Sequence, residues 1–179
     1  MTSNMPESLR NLEANCGVFA LWMVFQQHGI QMDISDLIQA SGHEQGEGTF
    51  TIALAVALQK FGFNVTFYTD EDPHISPTER AYYQQADLLN LPIRTALSNH
   101  QIKKKFESGK LVIVYYDTLH GDGNQSLLYS IDEKKVCFFD SFESMPLPIF
   151  DQQRRVDGIC RQAIVIDDRD FNRHAIKLS

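Results

Sequence analysis

Residues Asn15–Gly29, NCGVFALWMVFQQHG, decide how the rest of the chain is read. Val18, Phe19, Ala20, Leu21, Trp22, Met23, Val24 and Phe25 form an unbroken apolar run. As a strand this run would be long and would end without turn residues. As a helix it is apolar on every face, so protein must surround it. Asn15 suits an N-cap and Gly29 the C′ position. A length of roughly four turns fits a helix and falls short of a bilayer span. The stretch therefore predicts a buried central helix with Cys16 in its first turn. Unpaired backbone N–H groups and the helix dipole favour an anion there, which predicts a thiol of lowered pKa. The competing reading is a small buried residue of no chemical use. The polar lead-in of Arg10, Asn11, Glu13 and Asn15 keeps Cys16 near a surface or cleft and favours the functional reading.

With 179 residues the chain has the size of one domain, 1–179, large enough for a real core. Hydrophobic content of 43% and charged content of 22% place it among ordinary globular proteins. A net charge of −7 argues against a nucleic-acid backbone as partner. Cys16, Cys137 and Cys160 are an odd number of cysteines, and no basic, apolar N-terminal segment precedes them. That combination predicts free thiols, a reducing compartment and so a cytoplasmic location. No Cys/His pair has the spacing of metal ligands, so neither metal nor cofactor is expected. No membrane segment is evident, and the oligomeric state is not legible.

Outward from the central helix, residues 1–14 read as polar and as extended or frayed at the start. Asp33 and Asp36 open a short helix, ISDLIQAS, that Gly42 stops. HEQGEG (43–48) is irregular and glycine-rich, and reads as a flexible connection. Thr49 or Thr51 caps a third helix with an apolar stripe of Ile52, Ala53, Val56, Ala57 and Phe61, and Gly62 ends it. NVTFYT (64–69) alternates as a strand does. TERAYYQQADLLN is helical by propensity, LPIRTAL is extended, and Ser98 caps HQIKKKFES. KLVIVYYD (110–117) is a strand buried on both faces. QSLLYSI (125–131) and KVCFFDS (135–141) form a hairpin across Asp132–Lys134. Pro146 and Pro148 break the chain before DQQRR and a last strand, CRQAIVID (160–167), with Cys137 and Cys160 inert within strands. Helices first and an antiparallel sheet after make an α+β domain with a cleft between its halves.

The order CGVFALWM…HG, then GTFTIALAVALQKFGFNV, then SLLYSIDEKKVCFFDS resembles the papain-like cysteine peptidases. It is similar to those that remove double-glycine leaders in bacteriocin-exporting transporters, and to their stand-alone relatives. It also resembles a eukaryotic papain-like family named for a guanylyl cyclase domain. The resemblance spans roughly residues 9–167 and rests on the order and spacing of the pieces. It implies that Cys16 is the nucleophile and Asp140 the acid that orients a histidine. It places the family histidine at Asn124, which is not a histidine, and the oxyanion-hole glutamine at Arg10, with Asn11 beside it.

Cysteine hydrolysis needs a thiolate, a proton donor for the leaving amine and donors for the oxyanion. Asn124 accepts no proton at useful pH, though it can bind an amide. Arg10 or Asn11 would supply an oxyanion donor. His120, in DTLHGDGNQ with Gly121 and Gly123 beside it, is the nearest histidine; its competing reading is an exposed loop residue. His28, His43, His74, His100 and His174 read as solvated. Two functions stand side by side. One is a cysteine peptidase or amidase in which Cys16 attacks a carbonyl and Asp140 orients an imidazole from His120 or a partner. The other is a degenerate peptidase that binds a peptide or protein. Glutamine deamidation on the same fold is a third reading.

Overall fold

The computed structural model describes residues 4–118, 120–141 and 143–172. Along the chain run α1 (Glu7–Arg10), α2 (Cys16–Gln27), α3 (Ile34–Ser41), α4 (Thr51–Lys60), β1 (Asn64–Thr69), α5 (Pro77–Leu88) and β2 (Ile93–Thr95). Then follow α6 (Asn99–Glu107), β3 (Leu111–Asp117), β4 (Gly123–Ile131), β5 (Lys135–Phe138), β6 (Ser144–Pro146), α7 (Leu147–Arg154) and β7 (Ala163–Asp167). The strands form one sheet in the order β2-β1-β7-β3-β4-β5-β6. Every pairing is antiparallel except β1 with β2, so this α+β sheet is mixed. The α+β class expected from the order of elements holds, and the arrangement is consistent with the papain-like fold that the resemblance implies.

α2 is enclosed as its composition requires, with Val18, Ala20, Leu21, Val24 and Phe25 fully buried. It packs across β4, while α4 packs on β1, α2 and α5. These helices cover one side of the sheet, where Phe25, Leu54, Phe67, Ile113, Leu127 and Ile164 share a core. Val112, Val114, Tyr116, Leu128, Phe138 and Phe150 form a second core on the opposite side, under α6 and α7. Neighbouring residues of β3 thus feed different cores, which explains its continuous apolar run. Burying each large side chain contributes roughly 1.5–3 kcal/mol.

Several local expectations are revised. Residues 1–14 are not all extended: α1 lies among them and buries Leu9 completely. Asn15 precedes α2 without capping it, because its Nδ2 donates instead to the Leu9 carbonyl at 2.8 Å. Neither Thr49 nor Thr51 caps α4, whose N-cap is Phe50. Pro146 and Pro148 start α7 rather than break the chain, since proline suits the first helical positions where no N–H is needed. Cys160 lies in a turn ahead of β7, at φ 52, and not within a strand. His174 and residues 1–3 lie outside the described residues. Among the described residues, no helix is long and apolar enough to cross a membrane.

Candidate active-site cleft

Three pieces of chain converge on Cys16. The start of α2 and the turn before it supply Cys16, Ala14 and Asn15, the loop before α4 supplies Gly46–Thr49, and β3 and β4 with their connection supply Tyr115, Thr118 and Asp122–Gln125. Together they line a cleft of about 430 Å³. The HEQGEG stretch is thus a wall of the site and not merely a connection. Glu44 and Gly48 bridge across it, and Gly46 and Gly48 turn it back with φ of 81° and 86°. Gly17 explains the Cys-Gly pair: a Cβ there would overlap Thr49 Oγ1 and stand 3.1 Å from Gln125 Oε1. Only glycine lets the loop and β4 come so close to the start of α2.

The side chain that meets the thiol is Gln125. Cys16 Sγ donates to Gln125 Oε1 at 3.1 Å, so sulfur carries its proton in this arrangement. The Gln125 amide is fixed from behind, its Nε2 donating to the Thr49 carbonyl at 2.7 Å and to Thr51 Oγ1 at 3.1 Å. Its orientation is therefore set, with oxygen toward sulfur. Burial pushes the Cys16 thiol above its ordinary pKa; backbone N–H groups of Gln125, Gly17 and Cys16 pull it back, and the charge of Asp140 adds to the rise. The expected lowering does not occur, because desolvation of the sulfur outweighs the helix-terminal donors.

Asn124 borders the cleft, but it points its amide elsewhere. Its Nδ2 lies 2.8 Å from Tyr116 Oη, 3.1 Å from Ser126 Oγ and 3.3 Å from Asp140 Oδ2. Ser126 Oγ donates to the same Asp140 oxygen at 2.6 Å. Burial first and then the Asp140 charge push the Tyr116 phenol up to about 12, so it stays a neutral partner. This network lies on the α7 side of β4, where Tyr116 stacks on Phe138. Side chains alternate along a strand, so Asn124 and Gln125 leave β4 in opposite directions. The residue facing Cys16 is one place later than the resemblance suggested. Asp140 Oδ2 is occupied on the far side, and Asp140 Oδ1 is buried with no partner.

The other nominated residues lie apart from the thiol. His120 is exposed in the β3–β4 connection, where its backbone N–H donates to Thr118 Oγ1, and it does not line the cleft. Arg10 and Asn11 are exposed at the end of α1; the Arg10 guanidinium donates to the Met5 carbonyl, and neither residue lines the cleft. Two histidines read as solvated are not. His28 is held between Asp168 Oδ2 and the Val24 carbonyl, both at 2.8 Å, and packs against Phe63 and Phe171. Both ring nitrogens of His43 are buried without partners. What sequence reasoning missed at the site is Gln125, Thr49 and Thr51. The available signal was the i, i+2 pattern linking Gln125 to Leu127, which faces α2.

The sequence model of the Peptidase C39 family matches residues 6–81. That segment runs from α1 into α5 and holds Cys16, and over it the chain is similar to this cysteine peptidase family, in line with its resemblance to the leader peptidases. The match ends before β3, β4 and β5, and so before Asn124, Gln125 and Asp140. No curated protein matches the chain.

Proposed function

We propose that this protein holds an extended peptide in the Cys16 cleft without hydrolysing it, as a degenerate papain-like peptidase. The observation that carries this reading is the 3.1 Å hydrogen bond from Cys16 Sγ to Gln125 Oε1. It occupies the place where a cysteine hydrolase needs an imidazole. An amide neither takes the thiol proton nor returns it to a leaving amine. The raised pKa of the sulfur keeps the nucleophilic form scarce at neutral pH. Glutamine deamidation through Cys16 needs the same proton acceptor and meets the same obstacle. The cleft nonetheless keeps features useful for holding an amide backbone: N–H groups gathered at the start of α2 and glycine walls at Gly46, Gly48 and Gly123.

The test compares the parent, Cys16→Ala and Gln125→His against a peptide library and an activated ester, with products read by mass spectrometry. The reading expects no Cys16-dependent turnover by the parent. Peptide cleavage by the parent that disappears in Cys16→Ala would overturn it.

A further inference from the structure

The wall of the cleft between Gly42 and Thr49 is closed on itself. The Glu44 N–H donates to the Gly48 carbonyl at 2.9 Å, and the Gly48 N–H donates back to the Glu44 carbonyl at 2.8 Å. Gly42 at one end and Gly48 at the other take φ of 62° and 86°, which glycine adopts at little cost. The loop is thus a short closed unit between two pliable positions. It packs on the turn before α2. A Cβ on Gly48 would stand 3.3 Å from the Ala14 carbonyl oxygen, and one on Gly46 would stand 3.9 Å from Glu13 Oε2. At its far end the Thr49 carbonyl holds the Gln125 amide at 2.7 Å, and Gln125 holds the Cys16 thiol.

His43 is the first side chain of this unit. Its backbone is fixed at the end of α3, where its N–H donates to the Ile38 carbonyl at 3.2 Å. Its ring nitrogens, Nδ1 and Nε2, are both shut off from water and have no hydrogen-bond partner. A neutral imidazole bears that arrangement at a cost. An imidazolium bears it far worse, because it carries two N–H groups and a charge with nothing to receive them. Burial pulls the imidazole below its ordinary pKa, and the Glu13 carbonyl offsets only part of this. The ionisable groups on the surrounding pieces are Glu13 from the turn, Glu44 and Glu47 from the loop, and Tyr82 of α5, which reaches Gly42. The end of α3, residues 38–41, has none. The three carboxylates belong to exposed residues, so an imidazolium meets them, and water, once the loop lifts.

We propose that residues 43–48 are an acid-opened wall of the Cys16 cleft, held shut by neutral His43 and released when His43 takes a proton. The closed wall holds that proton less well than the open one. It is therefore favoured above the ordinary imidazole value of about 6.5 and lost as pH falls below it. Opening draws on Thr49 and so loosens the anchor of the Gln125 amide. The consequence for a bound peptide rests on the reading above, whereas the opening itself is read without a ligand.

The experiment is hydrogen exchange of the full chain, read by peptide mass spectrometry at about pH 7.5 and about pH 5 and corrected for the intrinsic pH dependence of amide exchange. Protection of the Glu44, Glu47 and Gly48 amides is expected to fall about tenfold on acidification, while β3 and β4 keep theirs. His43→Leu and His43→Gln have no titrating ring and are expected to keep loop protection at both pH values. His43→Leu also removes two unpaired polar atoms from the interior and should close the loop at least as well as the parent does. Loop protection in the parent that acid leaves unchanged overturns the proposal. So does a loss that spreads to β3 and β4, or one that either folded variant shares. Acid opening of a cleft that binds no peptide at either pH, read by anisotropy of a fluorescein-labelled peptide library, upholds this inference and counts against the peptide-binding reading alone.

Discussion

The two faces of β4 carry the same kinds of group and use them differently. On the α2 face, Gln125 holds one thiol and is itself held by Thr49 and Thr51. On the α7 face, Asn124, Ser126 and Tyr116 surround a carboxylate, Asp140. A papain-like hydrolase would need a nucleophile and an orienting acid to act through one imidazole between them. Here the nucleophile and the acid belong to separate networks, and an amide with no proton chemistry fills the position at sulfur. On the proposed reading, this separation of parts, as much as the asparagine at position 124, is what leaves the cleft without a hydrolytic unit.

Substitutions at adjacent positions sharpen this contrast. Gln125→His places an imidazole at Cys16, and it should raise alkylation of Cys16 by iodoacetamide at neutral pH about tenfold or more. Asn124→His places it on the Tyr116–Asp140 side and should change that rate far less. Equal gains from both would break the assignment of faces. Next in size is Ser126→Ala, which leaves Asp140 Oδ2 without its 2.6 Å donor inside the protein. Loss of such a bond to a half-buried carboxylate costs about 1–3 kcal/mol, readable as a lower midpoint in urea unfolding, with Cys16 reactivity little altered. Gly17→Ala should cost about 1–3 kcal/mol, because the added methyl meets Thr49 and Gln125, and it should also disturb the Cys16–Gln125 bond. A thermal scan together with alkylation tests both effects. The smallest change is expected of His120→Ala, since His120 is exposed and outside the cleft. Its alkylation rate and stability should match those of the parent.

Much of the fold was legible because local chemistry agreed with tertiary need. Asp33 accepts from the Ser35 N–H and Gly42 ends α3 in the left-handed region. Ser98 forms a capping box with Gln101 at α6, and the β4–β5 hairpin crosses Asp132–Lys134 as read. Element edges failed where partners distant in sequence decided the outcome. Asn15 gave up capping for the Leu9 carbonyl, and Pro146 and Pro148 served a helix whose apolar face, Phe150, is visible only against the second core. The site was legible as far as Cys16. Beyond it, the choice between Asn124 and Gln125 depends on strand register, and a slip of one residue sends a side chain to the opposite face. The Tyr129 region adds a bulge between Leu128 and Ser130, so alternation does not run unbroken along β4 either.

On the proposed reading, Gln125 and burial keep the Cys16 thiol protonated, and no base activates it. The most direct measurement is the iodoacetamide rate of Cys16 against pH, read by peptide mass spectrometry in the folded parent. The rate is expected to stay low through neutral pH and to rise with an inflection above the ordinary thiol value of about 8.5. A Cys16 that alkylates fully at neutral pH, with its inflection below that value, would contradict it.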